Sequence, residues 1–130
     1  MLTNQEIYNK VRKHLLTQMK QCRAPHSTQC RYRGDDGLTC AIGCLIPLEA
    51  YDDEIEGATI AELSNAFNTN HTGGVATLYD ILEQCVGDLD DQDRLKLLEL
   101  LQDCHDDYSV DCWERRLNRI AAQCDLDVQC

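Results

Sequence analysis

The chain has 130 residues, a hydrophobic fraction of 43% and a formal net charge of −11. That length makes one domain able to bury about two-thirds of its unfolded surface; the apolar content excludes a disordered chain, and no apolar run approaches the ~20 residues that span a bilayer. Residues 1–33 carry +6 and residues 34–130 carry −17, a split that argues against nucleic acid as a ligand.

Ile7, Val11, Leu15, Met19 and Cys22 fall on one apolar stripe and predict a first helix over 3–22. Thr3 or Asn4 can cap it, with Glu6 three residues after Thr3 as in a capping box, and Pro25 ends it. Residues 29–33 read as a short strand, Gly34-Asp35-Asp36-Gly37 as a tight turn and Leu38-Thr39 as the returning strand. A short buried helix capped by Thr39 follows, and Pro47 stops it. Residues 48–57 are acidic and irregular. Thr59, with Glu62, caps a helix over 60–67, and residues 68–74 are loop by composition. Leu78, Leu82, Cys85 and Val86 mark a helix over 75–86. The run 88–91 opens another that reaches Cys104, with Leu97, Leu98 and Leu101 on its stripe. Trp113, Leu117, Ile120, Ala121 and Cys124 line a last helix over 111–124. The expected fold is mainly α: a single globular domain over 1–130, of about five helices with one short β-hairpin near 29–39.

The chemistry-bearing types are cysteine and carboxylate. There are nine cysteines, and the start of the chain has the pattern of helix rather than of a secretory signal. The expectation is a cytoplasmic protein with reduced thiols, most of them small buried hydrophobes. Cys40, where a turn meets a helix start, is the candidate nucleophile, with His71 as base and Asp80 or Asp52 as orienter; its alternative is packing. Cys22, His26, Cys30, Cys40 and Cys44 lack the Cys-x2-Cys knuckle of a zinc site, so no metal and no other cofactor is expected. Residues 88–99 imitate a calcium loop, but Asp93 stands at the turn normally made by Gly and Lys96 would repel the ion. A helix cap is the better reading of those acids. Arg33-Gly34-Asp35 and Asn70-His71-Thr72 read as turn and loop.

The block Cys30-Arg31-Tyr32-Arg33-Gly34, with Asp36-Gly37, Cys40-Ala41-Ile42-Gly43-Cys44-Leu45-Ile46-Pro47, Tyr51 and Glu56-Gly57, resembles a family of small uncharacterised proteins of bacteriophages and their bacterial hosts. His105-Asp106-Asp107 and Trp113 are similar to that family's closing segment. The resemblance covers roughly residues 1–60 and brings no activity with it; it implies a cytosolic setting and phage or mobile-element biology. With the acidic body, the expected function is a non-enzymatic interaction protein, an inhibitor of a host factor. Its working surface would be the acids Asp52, Asp53, Glu54, Glu56, Asp88, Asp90, Asp91, Asp106 and Asp107, facing a basic, nucleic-acid-binding host protein. The alternatives are a Cys40-dependent hydrolase and a phosphate- or nucleotide-binding protein using Arg31 and Arg33. The charge split also suits pairing of the first helix with the acidic body, within the chain or across a homodimer.

Overall fold

A computed structural model describes residues 2–23, 30–34, 37–64 and 73–128 of the chain. Among them the fold is mainly α: α1 (Asn4–Gln18), α2 (Ile60–Ser64), α3 (Gly73–Cys85), α4 (Gln92–Asp107) and α5 (Trp113–Gln123), joined in part by 3-10 turns at Gly43–Leu45, Leu48–Ala50, Asp53–Ile55 and Val110–Cys112. His26, Asp35, Asp36 and the segment 65–72, with His71 and the sequon at 70–72, lie outside the described residues. No helix among the described residues is long and apolar enough to cross a membrane.

α1 starts as its capping box requires: Thr3 Oγ1 accepts the Glu6 N–H at 3.1 Å and Glu6 Oε1 accepts the Thr3 N–H at 2.9 Å. Its buried stripe is Ile7, Tyr8, Val11 and Leu15. The helix stops short of the predicted Cys22 because Met19 turns left-handed at φ 51° and closes the last turn onto Leu15. Met19 is consequently 45% exposed, whereas Cys22, carried inward by extended chain, is fully buried.

α1, α4 and α5 pack on one another. Leu97, Leu98, Leu101 and Cys104 of α4 and Trp113, Leu117 and Ile120 of α5 are buried in the same apolar cluster as the α1 stripe. Polar bolts fix the register: Tyr8 Oη donates to Leu117 O at 2.9 Å and Arg12 to Asn118 Oδ1 at 2.9 Å. Asp91 caps α4 by accepting the N–H groups of Asp93 and Arg94, so the cap reading of 88–91 holds there. Arg94, itself buried, donates to the carbonyls of Val86 and Gly87, both at 2.7 Å, and so closes the turn between α3 and α4.

The β-hairpin is not seen; two isolated antiparallel bridges, Arg23 with Cys30 and Arg33 with Thr39, stand in its place. The turn chemistry is real, since Gly37 has φ +75° and the Gly34 N–H reaches Leu38 O at 2.9 Å. A longer ladder does not form because other acceptors take the strand's donors. Glu56 Oε1 accepts the Tyr32 N–H at 2.9 Å, Oε2 accepts the Arg33 N–H at 3.2 Å, and Cys22 O takes the Arg31 N–H at 2.9 Å. Beyond Thr39 the chain makes one 3-10 turn, Gly43–Leu45, instead of the predicted α-helix. Gly43 sits there against the Tyr32 carbonyl, and a Cβ on it would lie 1.9 Å from that oxygen. Only glycine permits this approach.

Candidate functional site

α4 carries two faces. One is the apolar stripe just described; the other presents Glu99, Gln102, Asp103 and Asp106 at helical spacings of three, four and seven, with Asp107 beside them. This polar face forms one wall of a cleft of about 440 Å³ whose other walls are residues 57–61 and the segment Cys30, Arg31 and Tyr32. Thr59 and Glu62 hold α2 in place by a second capping box, at 3.0 and 3.2 Å. Tyr32, buried, fixes the opposite wall by donating its hydroxyl to Ala58 O.

At the inner end of the cleft Cys30, Asp106 and His105 converge, their ligand-type atoms within 4.8 Å of one another. His105 is fully buried, its ring stacked on Trp113 with centroids 5.6 Å apart. Its Nε2 lies 2.9 Å from the Cys22 N–H, a contact in which the ring nitrogen must accept. The proton therefore resides on Nδ1, which donates to Asp106 Oδ1 at 2.6 Å. Gln102 Nε2 donates to the same oxygen at 2.8 Å, and the Cys30 thiol donates to the Asp106 carboxylate as well. Burial pushes the Asp106 carboxyl up, but the hydrogen bonds from His105, Gln102 and Cys30 outweigh it and hold the group below its usual range. Burial and the Asp106 charge push the Cys30 thiol up to about 12.

This chemistry decides what the trio can do. In a hydrolytic triad the imidazole stands between nucleophile and acid; here the carboxylate stands between thiol and imidazole. Cys30 stays protonated, Asp106 accepts from His105, Gln102 and Cys30, and both nitrogens of His105 are committed. A metal would need the thiolate and a bare Nδ1, which moves the imidazole proton to Nε2 and sets it against the Cys22 N–H. The trio is a closed hydrogen-bond network that braces the cleft.

The outer carboxylates are different. Asp103 is pushed up by burial and then by the charges of Asp107, Glu99 and Asp106. Among the described residues Arg31 is the one arginine or lysine on the cleft wall, and it is directed to Glu56 at 3.7 Å.

The acids singled out in the sequence do not form one surface. Asp106 and Asp107 line the cleft. Asp52, Asp53 and Glu54 are exposed at the 3-10 turn that packs on α3, where Glu54 Oε2 accepts the Thr77 hydroxyl at 3.3 Å. Asp88 and Asp90 are exposed beyond the end of α3, and Asp90 accepts the Tyr79 hydroxyl at 3.2 Å. Asp91 is spent on its cap and Glu56 on holding Tyr32, Arg33, Tyr51 and Arg31. Those two are structural acids.

Cys40 is fully buried, its sulfur accepting the Gly43 N–H at 3.2 Å, and burial holds its thiol far above the usual range. Asp80 is exposed on α3. That placement suits packing, and it gives no support to a nucleophile. Arg33 donates one Nη to Ile46 O at 3.3 Å and lies 5.6 Å from the Tyr51 ring centroid, while its Nε is buried without a partner. Glu99, Gln102 and Asp103 were missed in the sequence, although their spacing opposite the leucine stripe marks one polar face. Comparison of the chain with protein-family models, with curated proteins and with solved structures finds no match.

Proposed function

We propose that this chain is a non-enzymatic binding protein whose α4 cleft receives a basic side chain of a protein partner. The observation that supports this most is the wall of Glu99, Asp103, Asp106 and Asp107, faced among the described residues by one arginine that is already paired. Burial and then the neighbouring acids destabilise the Asp103 charge, which Arg116 offsets only in part, and an entering guanidinium or ammonium supplies a further counter-charge. Of the residues on which the resemblance to phage proteins rests, Cys30, Arg31, Tyr32, Gly57, Asp106 and Asp107 line this cleft, and the block 40–47 with Tyr51 and Trp113 does not. On that resemblance the partner is a basic host factor, and occupying its cationic side chains is the means of inhibition.

The test is calorimetry with an arginine-rich peptide at low and physiological salt. Asp103→Asn with Asp107→Asn removes two cleft charges and weakens binding by about tenfold or more. Asp52→Asn with Asp53→Asn removes two exposed charges elsewhere and leaves affinity nearly unchanged. Equal losses from the two pairs would mean that only net charge is sensed, and the cleft would lose its role.

A further inference from the structure

Three of the five basic residues in the acidic stretch 34–130 gather at one place. Arg115, Arg116 and Arg119 of α5 line a pocket of about 210 Å³ with Tyr108 and Cys112, and no carboxylate of the described residues shares that lining. In a chain with 23 acidic residues, none of these three guanidiniums makes a hydrogen bond or an ion pair to a described residue. Arg116 lies 4.8 Å over the Tyr108 ring, and its Nε is buried without a partner. The ring holds that guanidinium in position by a cation–π contact. Arg115 and Arg116 also occupy the first turn of α5, where the helix dipole disfavours cations, and no side chain caps the helix at Cys112. Tyr108 positions Arg116, while Arg115 and Arg119 are exposed beside it. The carboxylates their charges reach, Asp111 for Arg115 and Asp103 for Arg116, lie outside the pocket lining. Three clustered guanidiniums therefore repel one another there, and an anion stabilises them.

We propose that this pocket binds a phosphate group, free or as the monoester of a small molecule. Three planar forks match phosphate oxygens in a bidentate manner, and their combined charge exceeds what one carboxylate neutralises. A nucleic-acid strand fits poorly, since its further phosphates would run into the field of a body carrying −17 over residues 34–130. The site is distinct from the α4 cleft and takes the opposite charge. It also differs from the Arg31 and Arg33 pair, which the fold uses internally.

The experiment is calorimetric titration of the full chain with inorganic phosphate and with adenosine monophosphate at low salt. Acetate and a short single-stranded oligonucleotide serve as competitors. Saturable one-to-one binding is expected, with tighter adenosine monophosphate marking an ester and equal affinities marking free phosphate. Arg115→Gln and Arg119→Gln, both at exposed positions, each weaken binding about tenfold, as does Arg116→Lys, which keeps charge but loses the fork. Circular dichroism confirms that each variant is folded. Lys20→Gln, at an exposed position that lines neither site, leaves binding unchanged. The proposal is overturned by absence of saturation, by acetate binding as well as phosphate, by preference for the oligonucleotide, or by variants that bind like the parent chain.

Discussion

Replacing Gly43 with alanine tests the packing that forms one wall of the cleft. The new Cβ would lie 1.9 Å from the Tyr32 carbonyl oxygen and 2.8 Å from its carbon, both backbone atoms that cannot rotate aside. The Tyr32 segment must retreat by more than about 1 Å to restore ordinary contact. That carbonyl accepts the Cys40 N–H at 3.2 Å, and the Tyr32 N–H is held by Glu56 at 2.9 Å, so retreat breaks or lengthens both. Overpacking costs about 1–3 kcal/mol and a lost hydrogen bond about 1 kcal/mol more, giving about 2–4 kcal/mol. Urea unfolding followed by far-ultraviolet circular dichroism and by the fluorescence of Trp113 measures it. Gly37→Ala is the control: φ there is +75° with nothing near the new methyl, so only the left-handed backbone cost of about 1–2 kcal/mol applies. A Gly43→Ala loss no larger than that of Gly37→Ala would refute the close-approach argument.

Arg94→Met strips the Val86 and Gly87 carbonyls of their buried donor and should cost about 2–4 kcal/mol by denaturant unfolding; Arg94→Lys should restore only part, because one ammonium does not reproduce the fork. Asp106 gives a pH signature. Its carboxyl is depressed below the ordinary 3.8 in the folded chain, so its contribution is full above that value and lost as pH falls through the lower folded one. Asp106→Asn should therefore destabilise at neutral pH, and the gap to the parent chain should close as pH falls below 3.8 through the lower folded value; a gap independent of pH contradicts the network. In timed alkylation read by mass spectrometry, Cys40 should react with Cys22 and Cys104 among the slowest thiols, all three being fully buried. A fast Cys40 would reopen the hydrolase reading.

Local signals carried much of the fold. The Thr3, Thr59 and Asp91 caps and the α4 and α5 stripes are set by residues within one or two turns, and they stand where the pattern places them. What the pattern missed depends on long-range partners. The hairpin gave way because Glu56, more than twenty residues downstream, takes its N–H groups. Met19 fits the α1 stripe, but a left-handed cap turns it out. The site was legible only in pieces: Cys30 and His105-Asp106 each stood out, yet nothing local says that they meet across the cleft. The acidic set was too broad for a similar reason. Glu56 looks identical to a free acid in sequence, and its hydrogen bonds alone reveal its structural use.

The most direct test of the cleft is an amide nuclear magnetic resonance titration of the isotope-labelled chain with an arginine-rich peptide at physiological salt. Exposed charges act there over only about 8 Å, so diffuse attraction is suppressed. Saturating shifts confined to residues 30–32, 57–61 and 99–107 are the predicted result. Shifts centred on residues 52–54 and 88–90, or spread over every exposed carboxylate, would contradict it.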